Sequence, residues 1–194
     1  MQHILTDFTT PMEPFVFWEN AFNDSELDWL RHRAINTSTP GLVGGGSDGR
    51  NDPGVRRSDV SWLNSSQETK WVYEKISYVV SSLNAKFYKF DLIGMGESFQ
   101  LSNYDSSKSG TYGWHIDFSP EGPSRKLSLV LQLTDPSEYE GGNLQILNSS
   151  QPITIPKKRG LIVAFPSWTL HQVTPVTMGN RQSLVSWITG PMFK

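Results

Sequence analysis

The chain has 194 residues, which is enough for one domain with a substantial core and too short for two. Its net charge of −2 gives no electrostatic case for a nucleic acid or an anionic membrane as partner. It contains no cysteine, which excludes disulfides, zinc–thiolate sites, iron–sulfur clusters and cysteine nucleophiles, so that any metal must be held by histidines and carboxylates.

The start of the chain and its apolar runs bear on its location. Residues 1–8 have neither the basic start nor the apolar run of a signal peptide. No run of about 18 apolar residues occurs, so we expect no membrane span and predict a cytoplasmic protein. The seven Trp, six Tyr and ten Phe favour a β-rich fold, because aromatic side chains pack well on pleated sheets.

Two helices are predicted in the first half of the chain. The first runs over residues 24–36, with Asp24 or Ser25 as its cap and acidic residues in its first turn. The second begins at Ser65 or Ser66 and ends before Phe90, because apolar residues recur there at helical spacing.

Between the helices, residues 40–55 are rich in glycine and contain few apolar side chains. Such a segment does not repay the cost of ordering its backbone, so we predict a mobile loop. A loop of this length in a small domain is either dispensable or a lid over a site, and we favour the lid. A short strand over residues 55–63 is predicted to follow it.

From residue 91 onward the pattern changes to short alternating runs separated by Gly, Pro, Asn and Asp. The candidate strands are 98–104, 111–118, 127–133, 143–146, 153–155, 161–165, 171–173 and 181–187. This spacing predicts a mainly β fold with N-terminal helices and a jelly-roll core, also called a double-stranded β-helix. We predict one domain over residues 1–194, in which residues 1–90 give helical support and residues 91–194 form the jelly roll.

A histidine and an aspartate two residues apart form the first candidate metal-binding pair. In a strand, His115 and Asp117 leave the same side, while Trp114, Ile116 and Phe118 leave the other, where we expect the core. The pair supplies two of the three ligands of the 2-His-1-carboxylate triad that binds non-haem Fe(II). Taken alone, the pair is weak evidence for a metal, and a His–Asp hydrogen bond at a strand end is the simpler interpretation.

Three residues downstream extend this pattern. His171 follows a strongly apolar strand and is the candidate third ligand, although alone it also fits a histidine in a turn. Arg181 and Ser183 share one face of the last strand, and an inward guanidinium is costly unless an anion meets it. A carboxylate can accept two parallel hydrogen bonds from arginine. The alternative is an edge-strand arginine that reaches water.

The ordered set of residues resembles the Fe(II)/2-oxoglutarate-dependent dioxygenases, specifically their prolyl-4-hydroxylase-like branch. The resemblance covers roughly residues 55–191. Besides His115-x-Asp117, His171 and Arg181-x-Ser183, the similar pieces are Tyr104 and the segments 57–63, 112–115, 133–135, 140–144, 160–166 and 171–176.

The resemblance implies roles for individual residues. His115, Asp117 and His171 would bind Fe(II) and form the catalytic centre. Arg181 would pair with the distal carboxylate of 2-oxoglutarate, with Ser183 beside it. The other two candidate co-substrate residues are Tyr104, which stands where the family often has a tyrosine that binds 2-oxoglutarate, and Gln132, which stands where some relatives have a second tyrosine. Alternate residues of the strand 127–133 divide between cavity and core: Ser128, Val130 and Gln132 should line the cavity, and Leu127, Leu129, Leu131 and Leu133 should pack into the core.

The resemblance also implies a reaction, which is the hydroxylation of an unactivated C–H bond with O2 as co-substrate and release of succinate and CO2. Prolyl 4-hydroxylation in a peptide or protein is the expected activity, ascorbate is a candidate cofactor, and the oligomeric state stays open. Halogenation is not expected, because Asp117 occupies the position that a halide would need. The alternatives are hydroxylation of a free amino acid or small molecule and, in another class, a non-catalytic β-sandwich binding module. The candidate substrate residues are Arg56, Arg57, Trp114 and Trp168, with Trp62 as a further platform for a proline ring.

Overall fold

The computed structural model describes residues 12–36, 38–44, 49–118 and 124–191. The predictions for residues 1–8 and for the glycine-rich tip of the loop, residues 45–48, lie outside the described residues. No helix within the described ranges has the length and apolar character needed to cross a membrane.

Helices flank the loop as predicted. Helix α1 spans Asp24–Asn36, and α2 spans Lys70–Leu83 before it continues as a π-helical segment, Asn84–Tyr88. The predicted cap of α1 is wrong: Asn23 caps it, because the Asn23 Oδ1 atom accepts from the Glu26 backbone N–H at 3.0 Å while the Glu26 carboxylate accepts from the Asn23 N–H at 2.9 Å. Helix α2 begins later than predicted, because the Thr69 hydroxyl holds the preceding residues in a turn, accepting from the Ser66 N–H at 2.9 Å.

The strands form two antiparallel sheets. Within the described residues they are β1 (Val16–Trp18), β2 (Thr39–Pro40), β3 (Arg56–Arg57), β4 (Asp59–Leu63), β5 (Phe99–Asp105), β6 (Thr111–His115), β7 (Arg125–Gln132), β8 (Tyr139–Gly141), β9 (Leu144–Leu147), β10 (Pro152–Thr154), β11 (Ile162–Pro166), β12 (His171–Val173) and β13 (Val176–Thr189). The major sheet has the order β1-β11-β7-β13-β5-β4-β2, with β8 paired to β13, and the minor sheet has the order β10-β9-β12-β6-β3. The predicted jelly roll is confirmed, but its sheets also recruit β1 to β4 from the first ninety residues.

Strand β7 shows how the layers are built. Leu127, Leu129 and Leu131 pack with α1 and α2 in one core on the outer face of the major sheet. Val130 points to the opposite side, into a second core between the two sheets. Because successive side chains of a strand alternate between faces, the leucines pack against the two helices, whereas the residues between them face the space inside the jelly roll.

The outer face of the minor sheet corrects one prediction. Trp114 and Ile116 were expected in the core, but they are 39% and 45% exposed. The helices pack on the major sheet, so side chains that point outward from β6 lie at the surface. The regular part of β6 ends at His115, and the Asp117 and Phe118 N–H groups both donate to the carbonyl of Ser167.

Gly179 lies inside β13, which begins earlier than the candidate strand 181–187, and it adopts a φ of 69°. A Cβ atom at this position would overlap the carbonyl oxygen of Glu138. We therefore expect Gly179→Ala to lower the free energy of unfolding by about 2–4 kcal/mol, measured by urea denaturation. Gly113→Ala is the control, because its Cβ would find its nearest neighbour at 3.5 Å. Equal stability of the two variants would contradict the expectation.

Candidate metal centre

The two candidate histidines meet on neighbouring strands. Strands β6 and β12 are antiparallel, and His115 and His171 are direct partners across them. One ligand atom from each of His115, Asp117 and His171 lies within 4.8 Å of the others. The Nε2 atoms of His115 and His171 lie 3.9 and 3.6 Å from carboxylate oxygens of Asp117. The structure thus brings together three side chains that the sequence separates by up to 56 positions.

Each imidazole is oriented by a backbone carbonyl. The His115 Nδ1 atom lies 2.8 Å from the carbonyl oxygen of Gly113, and the His171 Nδ1 atom lies 2.9 Å from that of Thr169. A neutral imidazole that donates its Nδ1–H in this way keeps the lone pair on Nε2, the atom nearer the carboxylate. Both rings therefore have the tautomer and orientation required of metal ligands.

The protonation states favour metal binding as well. Burial lowers the pKa of His115 below its usual value, and repulsion from His171 lowers it further, so this ring is neutral. Burial alone raises the pKa of Asp117, but His171, His115 and a hydrogen bond from Ser128 outweigh it and hold this pKa below its usual value. Two imidazoles and one carboxylate are the donor set of a facial triad for Fe(II).

Ser128 holds the carboxylate in place. Its hydroxyl donates to the Asp117 Oδ2 atom at 2.7 Å, from strand β7 of the opposite sheet. We expect Ser128→Ala to weaken metal binding about 10- to 100-fold, as the loss of an outer hydrogen bond to a metal ligand typically does. Competition titration with a chelator measures this effect. Ser61→Ala, which removes a hydroxyl bonded to the carbonyl of Arg33, should bind metal like the wild type. An unchanged metal affinity of Ser128→Ala would show that Ser128 does not support the metal-binding carboxylate.

The candidate metal centre lies in a cavity of about 880 Å³ between the sheets. This volume falls in the range of small-molecule binding sites. Val130, Leu144 and Val173 form an apolar part of the wall. The described parts of the loop 40–55 also belong to the wall, through Leu42 and Asn51 among others.

Arg181 is the most deeply buried charge in the cavity wall. It is 1% exposed, its Nη2 atom donates to Gln132 Oε1 at 3.0 Å and its Nη1 atom to Ser183 Oγ at 3.4 Å. Its guanidinium lies 5.3 Å from the ring of Tyr104. Its Nε atom is buried without a partner, and no acidic side chain pairs with Arg181 in the described residues. A buried guanidinium without a counter-ion fits an anionic ligand such as 2-oxoglutarate.

Two further features of the cavity wall were missed by sequence reasoning. The ring of Tyr112 stacks on that of His115 with ring centroids 3.6 Å apart. Strict alternation would place the two rings on opposite faces of β6, but a bulge between β6 and β12 breaks it.

The second feature is an ion pair stacked on an aromatic ring. Glu97 accepts two hydrogen bonds from Arg125 at 2.5 and 2.6 Å, and Arg125 lies 3.8 Å over the ring of Trp187. No local sequence signal joins these three residues, which come from separate strands and a loop.

The candidate substrate residues divide between cavity and surface. Arg56 and Trp62 line the cavity. Arg57 instead donates to the carbonyls of Pro53, Lys108 and Ser109. Trp114 and Trp168 are 39% and 44% exposed and do not line the cavity, and Trp168 packs against Phe90 with ring centroids 5.5 Å apart.

Comparison with known proteins supports the predicted family. Residues 99–189, which carry all three candidate ligands and Arg181, match the 2OG-Fe(II) oxygenase superfamily. This part of the chain is similar to the members of that superfamily, in agreement with the candidate metal ligands. A 2OG-Fe(II) oxygenase implies Fe(II), 2-oxoglutarate and O2, and the donor set described above fits Fe(II).

Individual relatives agree with this assignment. A PKHD-type hydroxylase from Prochlorococcus marinus is 44% identical over 114 residues, which are 58% of this chain and 50% of the relative. The chain thus matches about half the length of such curated relatives.

Solved structures show the same fold. A prolyl hydroxylase from Trichoplax adhaerens, in complex with a peptide fragment of hypoxia inducible factor, has a TM-score of 0.74 at 16% identity and covers 91% of this chain and 83% of its own. A Pseudomonas putida prolyl-4-hydroxylase has a TM-score of 0.68 at 17% identity, with 92% and 93% covered. These structures confirm the predicted fold, and the match of residues 99–189 together with the PKHD-type relatives supports the predicted dioxygenase family and its prolyl-4-hydroxylase-like branch.

Proposed function

We propose that this 2OG-Fe(II) oxygenase hydroxylates an unactivated C–H bond, and that its substrate is a prolyl residue in a peptide or protein. One observation supports the proposal above all. Two imidazoles and a carboxylate converge in a cavity that also contains a buried arginine without an acidic partner in the described residues. A 2-oxoglutarate-dependent enzyme needs both, because the ligands bind the metal ion and the arginine binds the anionic co-substrate.

The residues divide the work between metal and co-substrate. His115, Asp117 and His171 would hold Fe(II), which together with O2 and 2-oxoglutarate supplies the oxidising chemistry that adds one oxygen atom to the C–H bond and yields succinate and CO2. Arg181 would bind the distal carboxylate of 2-oxoglutarate, supported by Ser183, Gln132 and Tyr104. The apolar wall excludes water, which strengthens the electrostatic interaction of Arg181 with this anion.

The substrate assignment draws on the cavity and on a neighbour in fold. The loop that forms part of the wall is suited to close over an extended chain, and the Trichoplax adhaerens enzyme was solved with a peptide. A free amino acid is the second candidate, because the cavity volume also suits a small ligand. We also propose ascorbate as a cofactor, which is tested by omitting it from the assay. We further propose a cytoplasmic location, which is tested by cell fractionation.

Mass spectrometry tests the proposed reaction. The protein is incubated with Fe(II), 2-oxoglutarate, O2 and proline-containing peptides or free amino acids, and oxidised product and succinate are both quantified. We expect one added oxygen atom per succinate in excess of the background without substrate, located on C4 of a prolyl residue. Succinate formation without oxidation of any candidate would contradict the prolyl assignment, and no succinate at all would contradict the enzyme class.

A further inference from the structure

A second buried arginine lies in the same cavity wall. Arg56 is 6% exposed, and two of its nitrogen atoms are bonded: Nε donates to Ser58 Oγ at 2.7 Å and Nη1 donates to the carbonyl of Leu42 at 3.1 Å. Its Nη2 atom is buried and has no partner in the described part of the chain. The Leu42 carbonyl belongs to the loop 40–55, so part of the present bonding depends on where this loop lies.

The position of Arg56 relates it to the metal centre. Its guanidinium lies 4.6 Å from the ring centre of Tyr112, and that ring stacks on His115 at 3.6 Å. A single aromatic ring therefore separates the charge of Arg56 from a candidate metal ligand. A group that binds Arg56 would stand close to the C–H bond that is to be hydroxylated.

No acidic side chain of the described cavity wall is available to balance this charge. Glu97 is engaged by Arg125, and Asp117 belongs to the metal-binding triad. With the site loaded, the negative charges of Asp117 and of the dianion 2-oxoglutarate balance the positive charges of Fe(II) and Arg181. The positive charge of Arg56 then remains unbalanced. Leaving a buried charge without a counter-ion is strongly unfavourable.

The chemistry of a matching ligand follows from these contacts. A neutral carbonyl would satisfy the free N–H group but would leave the charge unbalanced. A carboxylate satisfies both, and it fits the fork of a guanidinium that is held by Tyr112 and Ser58. We infer that the substrate carries a carboxylate that pairs with Arg56, either a C-terminal carboxylate next to the oxidised residue or an acidic side chain of a neighbouring residue. This inference rests on the proposed function and specifies its substrate.

Binding of paired ligands in the absence of turnover tests the inference. The protein is loaded with Mn(II) and 2-oxoglutarate without O2, and dissociation constants are measured by calorimetry. The first pair is N-acetyl-glycyl-proline and its C-terminal amide. The second pair consists of blocked peptides in which an internal proline is followed by Glu or by Gln. We expect the charged member of one pair to bind roughly tenfold more tightly or better than its neutral partner.

Arginine variants connect the preference to one residue. In Arg56→Gln the charge preference should disappear, whereas in Arg57→Gln, which changes the neighbouring arginine outside the cavity, it should persist. Arg56→Lys keeps the charge without the fork and should retain a reduced preference, so it serves as the second variant if Arg56→Gln does not fold. A preference in the first pair identifies a terminal carboxylate, and one in the second pair identifies a side chain.

Two results would overturn the inference: neither charged ligand binds the wild type better than its neutral partner, or the preference survives in Arg56→Gln. Failure of the proposed function has a different signature. Binding of 2-oxoglutarate to the Mn(II)-loaded protein is measured first, and its absence would remove the proposed function and the inference with it.

Discussion

Asp117→Ala is expected to lower turnover by at least roughly 10³-fold, because it removes the only carboxylate of the triad and with it a metal ligand. Two imidazoles alone leave the site without the negative charge that offsets a divalent cation. Metal affinity should fall in parallel. The free energy of unfolding of the metal-free protein should change by no more than about 2 kcal/mol, since Asp117 contributes no apolar packing.

Metal titration, turnover and urea denaturation of the same preparation measure these effects. Asp28→Ala is the matched control, because it removes an aspartate whose ion pair with Arg159 lies on the surface. It should bind metal and turn over like the wild type. Turnover in Asp117→Ala that remains near the wild-type rate would refute the ligand assignment. Unfolded protein would point instead to a structural role for the carboxylate.

Arg181→Met should have opposite effects on stability and on co-substrate binding. In the absence of 2-oxoglutarate, the free energy of unfolding of the variant should equal that of the wild type or exceed it by up to about 3 kcal/mol. The reason is that an apolar side chain replaces a buried charge without a counter-ion. Saturating 2-oxoglutarate should stabilise the wild type by about 2.7 kcal/mol at 100 times its Kd, and the variant not at all.

Arg181→Lys separates charge from geometry at the same position. Lysine keeps the charge but cannot form two parallel hydrogen bonds with a carboxylate. The 2-oxoglutarate concentration needed for half-maximal turnover should rise roughly 10²-fold, while metal affinity stays unchanged. Arg159→Lys, a change at a surface ion pair, is the control. An unchanged 2-oxoglutarate requirement would mean that Arg181 does not bind the carboxylate.

The parts of the site that follow strand alternation could be predicted from the sequence. His115 ends the regular part of β6 and Asp117, two residues later, still reaches the same side, and in strand β7 the residues between the leucines face the cavity, where Ser128 contacts Asp117. Arg181 and Ser183 share a face of β13 for the same reason. A period of two is fixed by the backbone, so it assigns faces without any knowledge of the partner strands.

Features that depend on the partner sheet could not be predicted. Trp114 is on the face opposite His115, as expected, but alternation does not reveal that neither α1 nor α2 covers that face. Tyr112 approaches His115 only because of a bulge, and Arg56 and Arg57 differ in environment because one enters the cavity while the other contacts backbone carbonyls. These differences arise from packing between segments distant in sequence.

Crystals grown without O2, with Fe(II) and 2-oxoglutarate, test the central claim most directly, because anomalous scattering locates the iron atom independently of the protein. We expect a single iron atom bound to the Nε2 atoms of His115 and His171 and to the Asp117 carboxylate, with the distal carboxylate of 2-oxoglutarate at Arg181. Iron bound elsewhere, or 2-oxoglutarate that leaves Arg181 without a partner, would contradict the account.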